Sequence, residues 1–505
     1  MFTPFNTDHE ITNVHWTRLG ILAAALIIAV LVVYGKLFLL SFFQDDFFVL
    51  RMTKDVAWTE LWRFFHINPH VVYYRPISMP LFFYTLQSLF GLEPLAFRIV
   101  AFSTHVLNGM LVWMLLFLFS RRLLISWLGA FFYLTATLHF ISLAWISEYS
   151  VILGATITLL TMLTFFRSER MSFLPILLFQ LGLFIHEIVI VTPAVLFMYT
   201  LLWRFRCMKD LMVRFTPFVL VCGVYLWLRF LLFPPPLTGT YIQSVSPEIL
   251  KTLFWYVSWI FQIPEEFRSQ TLHLFPFELN ALFVSEFFGF VFFAFVFLLL
   301  FIAFFFVAPM VVLLLKGMKV KQKEGAKILL FGASWFLLAI GPFLTIPNHA
   351  YPLYASVASI GLLLLVTCLI SLYLEHIQRS FRWKGLGIWM TAVCWIVASI
   401  LSTRLTMYTH WTVQVGSRSE RVLAPFVRLR PSLPDGSVVV LPKDTQLQNA
   451  LLGQAAFQVV YGPSVSTVYG KWQIPKECDL VHGTVSTQCL LKHKIYGMTR
   501  DGLVL

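Results

Sequence analysis

Residues 19–50 read LGILAAALIIAVLVVYGKLFLLSFFQDDFFVL, a long apolar run followed within a few residues by two adjacent carboxylates, Asp45 and Asp46. A bilayer core about 30 Å thick needs around 20 apolar residues per helix, and 19–40 supplies them. The run is too long for a signal-peptide core and no small-residue cleavage site follows it, so it reads as a retained first span. Similar runs recur at about 97–119, 123–141, 149–166, 172–186, 188–203, 215–233, 284–307, 327–346, 352–374 and 385–403. With the first, they make about eleven transmembrane helices.

Composition agrees. Of 505 residues, 59% are hydrophobic and only 12% charged, against roughly 25% charged in soluble domains. The net charge of +13 does not call for nucleic acid, because the cations fall in short segments between apolar runs. Arg121 and Arg122, Arg167 and Arg170, Arg204 to Arg214, Lys316 to Lys327 and Arg379 to Lys384 all share one side, which the positive-inside rule makes cytoplasmic. The N-terminus then lies in the cytoplasm. The acidic pair, the turn at 139–149, the His186-Glu187 turn, the loop 234–283, the stretch TIPNHAYPLY and everything after about Thr403 lie on the opposite side.

Two of these outer segments are long. In the first, 42–96, DVAWTELWRFFH places Val56, Trp58, Leu61, Trp62 and Phe65 at helical spacing opposite Asp55, Glu60 and Arg63, as in a helix lying in the interface. The following RPISMPLFFYTLQSLFG is short and interrupted by Pro80, hence interfacial or re-entrant. Residues 1–404 thus form a membrane domain, with 234–283 as its second large outer loop. In 405–505 the apolar runs shorten. PDGSVVVLPKD reads as turn, strand and turn, and TQLQNALLGQAAFQVVYG as amphipathic and helical. The fold class expected is an α-helical polytopic membrane protein with a small extracytoplasmic α/β domain. Cys478 and Cys489 would lie in an oxidising compartment, either bridged or as two thiols.

Like charges side by side disfavour ionising both, which suits a general base. The plainer role for Asp45 and Asp46 is to cap the helix that follows. The same loop carries Arg51, His66, His70, Tyr73, Tyr74 and Arg75, and arginine suits phosphate by paired hydrogen bonds. Arg75 alone could be a snorkelling interfacial residue. His186 and Glu187 sit between two apolar runs, where ionisable residues are functional candidates, though a turn between helices reaches water anyway. Glu148 begins a span, and Asn348, His349, Tyr351 and Tyr354 cluster at an outer helix end. No cofactor is indicated. A divalent metal is compatible with the carboxylates, but no ligand spacing points to one. No repeat or matched pair of broken helices marks a transporter.

In order, the acidic pair, YYRP, PLAFRIVAFSTHVLNGMLVWMLL, HFISLAWISEYSVILGA, LGLFIHEIVIVTPAVL and NHAYPLYASVASIG resemble the polytopic GT-C glycosyltransferases over roughly residues 20–375. The resemblance is strongest to the transmembrane O-mannosyltransferases that carry tetratricopeptide repeats, and to their prokaryotic relatives. It implies an inverting transfer of a sugar from a polyprenyl-phosphate donor, on the outer side of a prokaryotic cell membrane, to a glycan, lipid or protein acceptor. It puts the base at Asp45 or Asp46, with Asp45 favoured, and the donor phosphate at Arg75, with Arg51 or His70 assisting. Tyr74, His349, Tyr351 and Tyr354 are further substrate contacts. Glu187 matches the acid of a Lys-Glu pair whose lysine is here His186. No tetratricopeptide array follows the last span, so the acceptor need not be a protein. A flippase of lipid-linked sugars, or an oligosaccharide ligase using the same lipids, is the alternative.

Overall fold

The structure, a computed structural model, describes residues 16–66, 73–168, 172–232, 239–274, 277–303, 307, 322–376, 381–470 and 494–497. Eight helices among them are long and apolar enough to cross a membrane: Trp16–Leu39, Pro94–Ser120, Ile146–Arg167, Glu187–Arg204, Met208–Leu232, Glu324–Leu344, Pro352–Ser371 and Ile388–Thr409. The other apolar runs are helical but differ in form. Leu123–Thr135 and Thr137–Ala144 form a pair bent by 43°, a broken span or a re-entrant loop, and Phe173–Leu183 and Phe288–Ile302 are shorter apolar helices. The chain is a polytopic α-helical membrane protein.

The bend has a chemical cause. At Ala136 the backbone turns extended (ψ 128°) and the helical ladder is interrupted, which frees polar groups that lipid cannot satisfy. Gln262 supplies them. Its Oε1 accepts from Thr137 N and Thr137 Oγ1, both at 3.1 Å, and its Nε2 donates to Thr135 O (3.3 Å) and to Ser399 Oγ on the last span.

Helices Gln322–Leu344 and Ser356–His376 cross at two glycines. A Cβ on Gly361 would stand 2.7 Å from both Gly332 O and Phe336 N, so the backbones touch and no side chain fits. Gly361→Val is expected to destabilise the protein by about 1–3 kcal/mol through overpacking, read as a lower unfolding temperature in detergent. A variant as stable as wild type would mean that the crossing opens freely.

The segment after the first span carries helix Asp45–Thr53, then a 3-10 helix Trp58–Phe65 in place of the expected α-helix. Trp58 and Trp62 are exposed there and Phe64 is buried, the two-faced arrangement expected of an interfacial element. Next, a π-turn at Ile77–Leu81 accommodates Pro80 before helix Phe82–Phe90.

A helix Trp411–Leu429 follows the last span and leads into a three-stranded parallel sheet. Val438–Leu441 lies between Ser466–Tyr469 and Ile495–Gly497, pairing Val438 with Ser466 and with Ile495. Val439 and Leu441 point inward, with the period of two that a strand imposes. Helices Thr445–Ala450 and Ala455–Tyr461 make the crossover, the first capped by the Asp444 carboxylate, which accepts from Gln446 N and Leu447 N. This unit shares one apolar core with the segment after the first span: Phe42, Phe47 and Leu50 pack with Phe426, Leu451 and Phe457.

Candidate active site

Asp45 and Asp46 part company in the fold. They end a tight turn in which Gln44 takes φ 49° and ψ −121° and Asp46 N donates to Phe43 O at 3.1 Å. That is a type II′ turn with glutamine where glycine is preferred, a backbone strain of order 1–3 kcal/mol. Asp46 is fully buried and accepts hydrogen bonds at both oxygens. Oδ1 takes Ser147 N (2.8 Å) and Ser147 Oγ (2.7 Å), and Oδ2 takes Phe43 N (3.2 Å). Burial pushes its carboxyl up to about 7, against these donors and the charge of Arg98. Asp46 therefore ties the start of its helix to the turn at 146–148.

Arg98 completes that tie. It is fully buried and donates to the carbonyls of Leu40 (2.9 Å), Ser41 (3.3 Å), Leu143 (3.0 Å) and Ala144 (3.0 Å), joining the end of the first span to the segment before Ser147.

Asp45 is half-buried and, among the described residues, its carboxylate accepts no hydrogen bond. Burial raises its pKa, and the nearby Arg75 guanidinium pulls it down. Arg75 is held on several sides. Nε donates to Glu187 Oε2 (2.9 Å), Nη1 donates to Ser150 Oγ (3.2 Å) and stands 4.0 Å from Glu148 Oε2, and the guanidinium lies 5.0 Å from the Tyr73 ring centre. Arg75 meets Glu187 because the segment after it is pinned to the turn before Glu187: Ile77 N donates to Phe184 O and Ser78 Oγ to Ile185 O. Next to Arg75, Phe48, Met52, Phe64, Met79 and Pro80 line a groove of about 60 Å³.

A second wall is aromatic. The rings of Tyr241 and His349 lie 3.9 Å apart, His349 and Tyr351 4.9 Å, and Tyr354 stacks on Phe343 at 4.4 Å. Burial and the Arg75 charge bring His349 down to about 4, so its imidazole is neutral beside that cation. Residues from the first loop and from the 148, 187, 241 and 349 regions thus gather round Arg75.

Other expected residues have further partners, although Tyr74 lines the groove with Arg75 and His186 Nδ1 stands 3.4 Å from Glu187 Oε2. Arg51 is turned to the C-terminal unit, its Nη1 donating to Gln458 Oε1 at 2.9 Å, because its place in the last turn of helix Asp45–Thr53 puts it on the face that packs there. His186 is buried and accepts from Ile188 N through Nδ1, a helix-capping bond. The Tyr74 hydroxyl donates to Phe65 O. Neither expected acid caps helix Asp45–Thr53, since Gln44 holds the cap position without a side-chain bond. His70, Cys478 and Cys489 lie outside the described residues. Among the described residues, no group of three or more His, Cys, Asp or Glu could hold a metal ion.

Arg98, Ser147, Ser150 and Tyr241 were not singled out by the sequence. Arg98 had a signal, a guanidinium within an apolar span, whereas the others depend on contacts between distant segments. A larger cleft of about 580 Å³, between Phe290 to Phe301 and Met390 to Leu405, carries no carboxylate or cation among the described residues.

No protein-family model matches the sequence, and no curated protein matches it. Solved structures that are distantly similar include two lipid-phosphate-bound proteins. The archaeal oligosaccharyltransferase AglB from Archaeoglobus fulgidus, in complex with an inhibitory peptide and a dolichol-phosphate, is 13% identical with a TM-score of 0.45, over 89% of this chain and 65% of that one. This chain thus spans just under two thirds of the length of AglB. ArnT from Cupriavidus metallidurans, bound to undecaprenyl phosphate, is 14% identical with a TM-score of 0.42, over 91% of this chain and 87% of that one. Both likenesses are too distant to carry the chemistry, which rests on the residues themselves.

Proposed function

We propose that the protein is an integral-membrane glycosyltransferase that moves a sugar from a polyprenyl-phosphate donor to an acceptor hydroxyl, with inversion, on the extracytoplasmic side of a prokaryotic membrane. The observation that carries this reading is a carboxylate, Asp45, that accepts no hydrogen bond among the described residues and stands close enough to the partly buried Arg75 to feel its charge, with a groove of mostly apolar lining beside that arginine. Asp45 takes the proton of the acceptor hydroxyl as its oxygen bonds to the anomeric carbon. The bond from that carbon to the phosphate oxygen breaks on the other side, and its electron pair leaves with the carrier phosphate. Arg75 meets the charge that develops there. Glu187 and Ser150 fix the guanidinium in advance, so little rearrangement is needed in the transition state. The apolar groove suits the first part of a lipid chain, and the aromatic wall at Tyr241 and His349 suits the face of a sugar ring.

The order of motifs along the sequence supports the same reading, and mannose is the first donor sugar to test. Purified protein given polyprenyl-phosphate mannose and candidate acceptors should release free polyprenyl phosphate only when acceptor is present. A flippase consumes no donor, so intact donor after incubation with a full panel of sugars and acceptors would refute the assignment.

The pH profile provides a separate check. Asp45 must be ionised to act, and burial raises its pKa from the ordinary 3.8. Activity should therefore fall as pH drops through a value above the ordinary 3.8. Arg75 lowers that pKa, so in Arg75→Gln the acid limb of residual kcat/KM should move to higher pH. A limb that stays in place or moves down would separate Asp45 from the titration.

A further inference from the structure

Asp45 follows directly on the strained residue Gln44, and the group that holds Gln44 comes from the far end of the chain. Gln44 N donates to Ala450 O at 2.9 Å. At the other end of the same helix, Arg51 Nη1 donates to Gln458 Oε1 (2.9 Å), and Lys54 Nζ donates to the carbonyls of Gln458 (3.1 Å) and Val459 (2.7 Å). Those carbonyls belong to the last turn of helix Ala455–Tyr461, where the helix dipole favours a cation, and Gln458 O accepts from Gly462 N (3.0 Å) as well as from Lys54. Gln458 is itself anchored, its Nε2 donating to Pro463 O at 3.3 Å. Between these polar ties lies the apolar seam of Phe47 and Leu50 against Leu451 and Phe457.

Helix Asp45–Thr53 is thus fastened at both ends to the C-terminal unit. A glutamine at positive φ persists only where its surroundings over-determine it. Released from Ala450, Gln44 would relax toward negative φ and swing Asp45 away from Arg75. Misplacement by about 1 Å can cost as much as ~10²-fold in rate.

We propose that the C-terminal unit is a positioning element for the catalytic turn, with Gln458 and Lys54 as its grip on the helix that carries Asp45. This rests on Asp45 being the base. It gives the C-terminal residues a part in turnover without contact with substrate.

The test uses the full-length protein in detergent. Gln458→Ala and, separately, Lys54→Met are expected to lower kcat about tenfold while the donor KM stays within twofold. Amide exchange over residues 45–50 should rise about tenfold in both. Gln458→Glu, which keeps an acceptor for Arg51, should restore both readouts. Asp45→Asn serves as the companion variant, losing transfer while its exchange stays slow. Loss of transfer in Asp45→Asn together with wild-type kcat in both Gln458→Ala and Lys54→Met overturns the positioning role alone. Equal losses in Gln458→Glu and Gln458→Ala also overturn it. Full transfer by Asp45→Asn overturns the catalytic assignment and this proposal with it.

Discussion

If Asp45 is the base of the proposed sugar transfer, Asp45→Asn is expected to lower turnover by about 10²–10⁴-fold, the range for loss of a positioned general base. The side chain keeps its size, and no hydrogen bond to its carboxylate is broken among the described residues, so folding and donor binding should survive. The contrast with its neighbour makes the experiment informative. Asp46→Asn keeps a carbonyl for Ser147 but loses the acceptor for Phe43 N. Its penalty should appear mainly in stability, with a smaller fall in kcat. If Asp46→Asn abolished transfer while Asp45→Asn remained active, the two roles assigned here would be reversed. The measurement is single-turnover transfer from a labelled polyprenyl-phosphate sugar, with unfolding temperatures taken on the same preparations.

Arg98→Met has the largest expected effect on stability, a loss of about 3–5 kcal/mol, because each buried carbonyl left without its donor costs about 1–3 kcal/mol. The guanidinium serves the carbonyls of Leu40, Ser41, Leu143 and Ala144 and offsets the charge of Asp46. Methionine fills much of the volume but donates nothing, so those acceptors and a buried carboxylate lose their compensation. The double variant Arg98→Met with Asp46→Asn should be less damaged than the sum of the two, because removing the carboxylate also removes the charge that Arg98 offsets. Strict additivity would show that the two residues act apart. Thermal unfolding of all three variants in detergent makes the comparison.

The spans were legible because they rest on composition alone: each expected apolar run that lies in the described residues is helical, including the bent and short ones. The bend at Ala136 was not, because its cause is Gln262, more than a hundred residues away. The same distinction applies at the site. The outer-side ionisable residues were visible as candidates, and Arg75, Glu187 and the 349–354 aromatics do converge. The division of labour between Asp45 and Asp46 was hidden, since it is decided by Ser147 from another segment. Arg51 was misjudged for a related reason. Its spacing from the acids said that it shared their helix, but not that a C-terminal helix would cover the face it occupies. Arg98 lay within a quoted motif and in an apolar run, yet its role depends on four carbonyls contributed by two distant segments.

The bond from Gln44 to Ala450 also sets an order of events during synthesis. The 407 residues separating Arg51 from Gln458 take roughly 20–80 s to translate at ~5–20 residues per second. For that interval the early spans can be inserted and the acidic turn displayed at the membrane surface with nothing to keep Gln44 at positive φ. On the proposed function, the turn that carries Asp45 is therefore set in place only once the segment from Ala450 to Val459 folds back onto it.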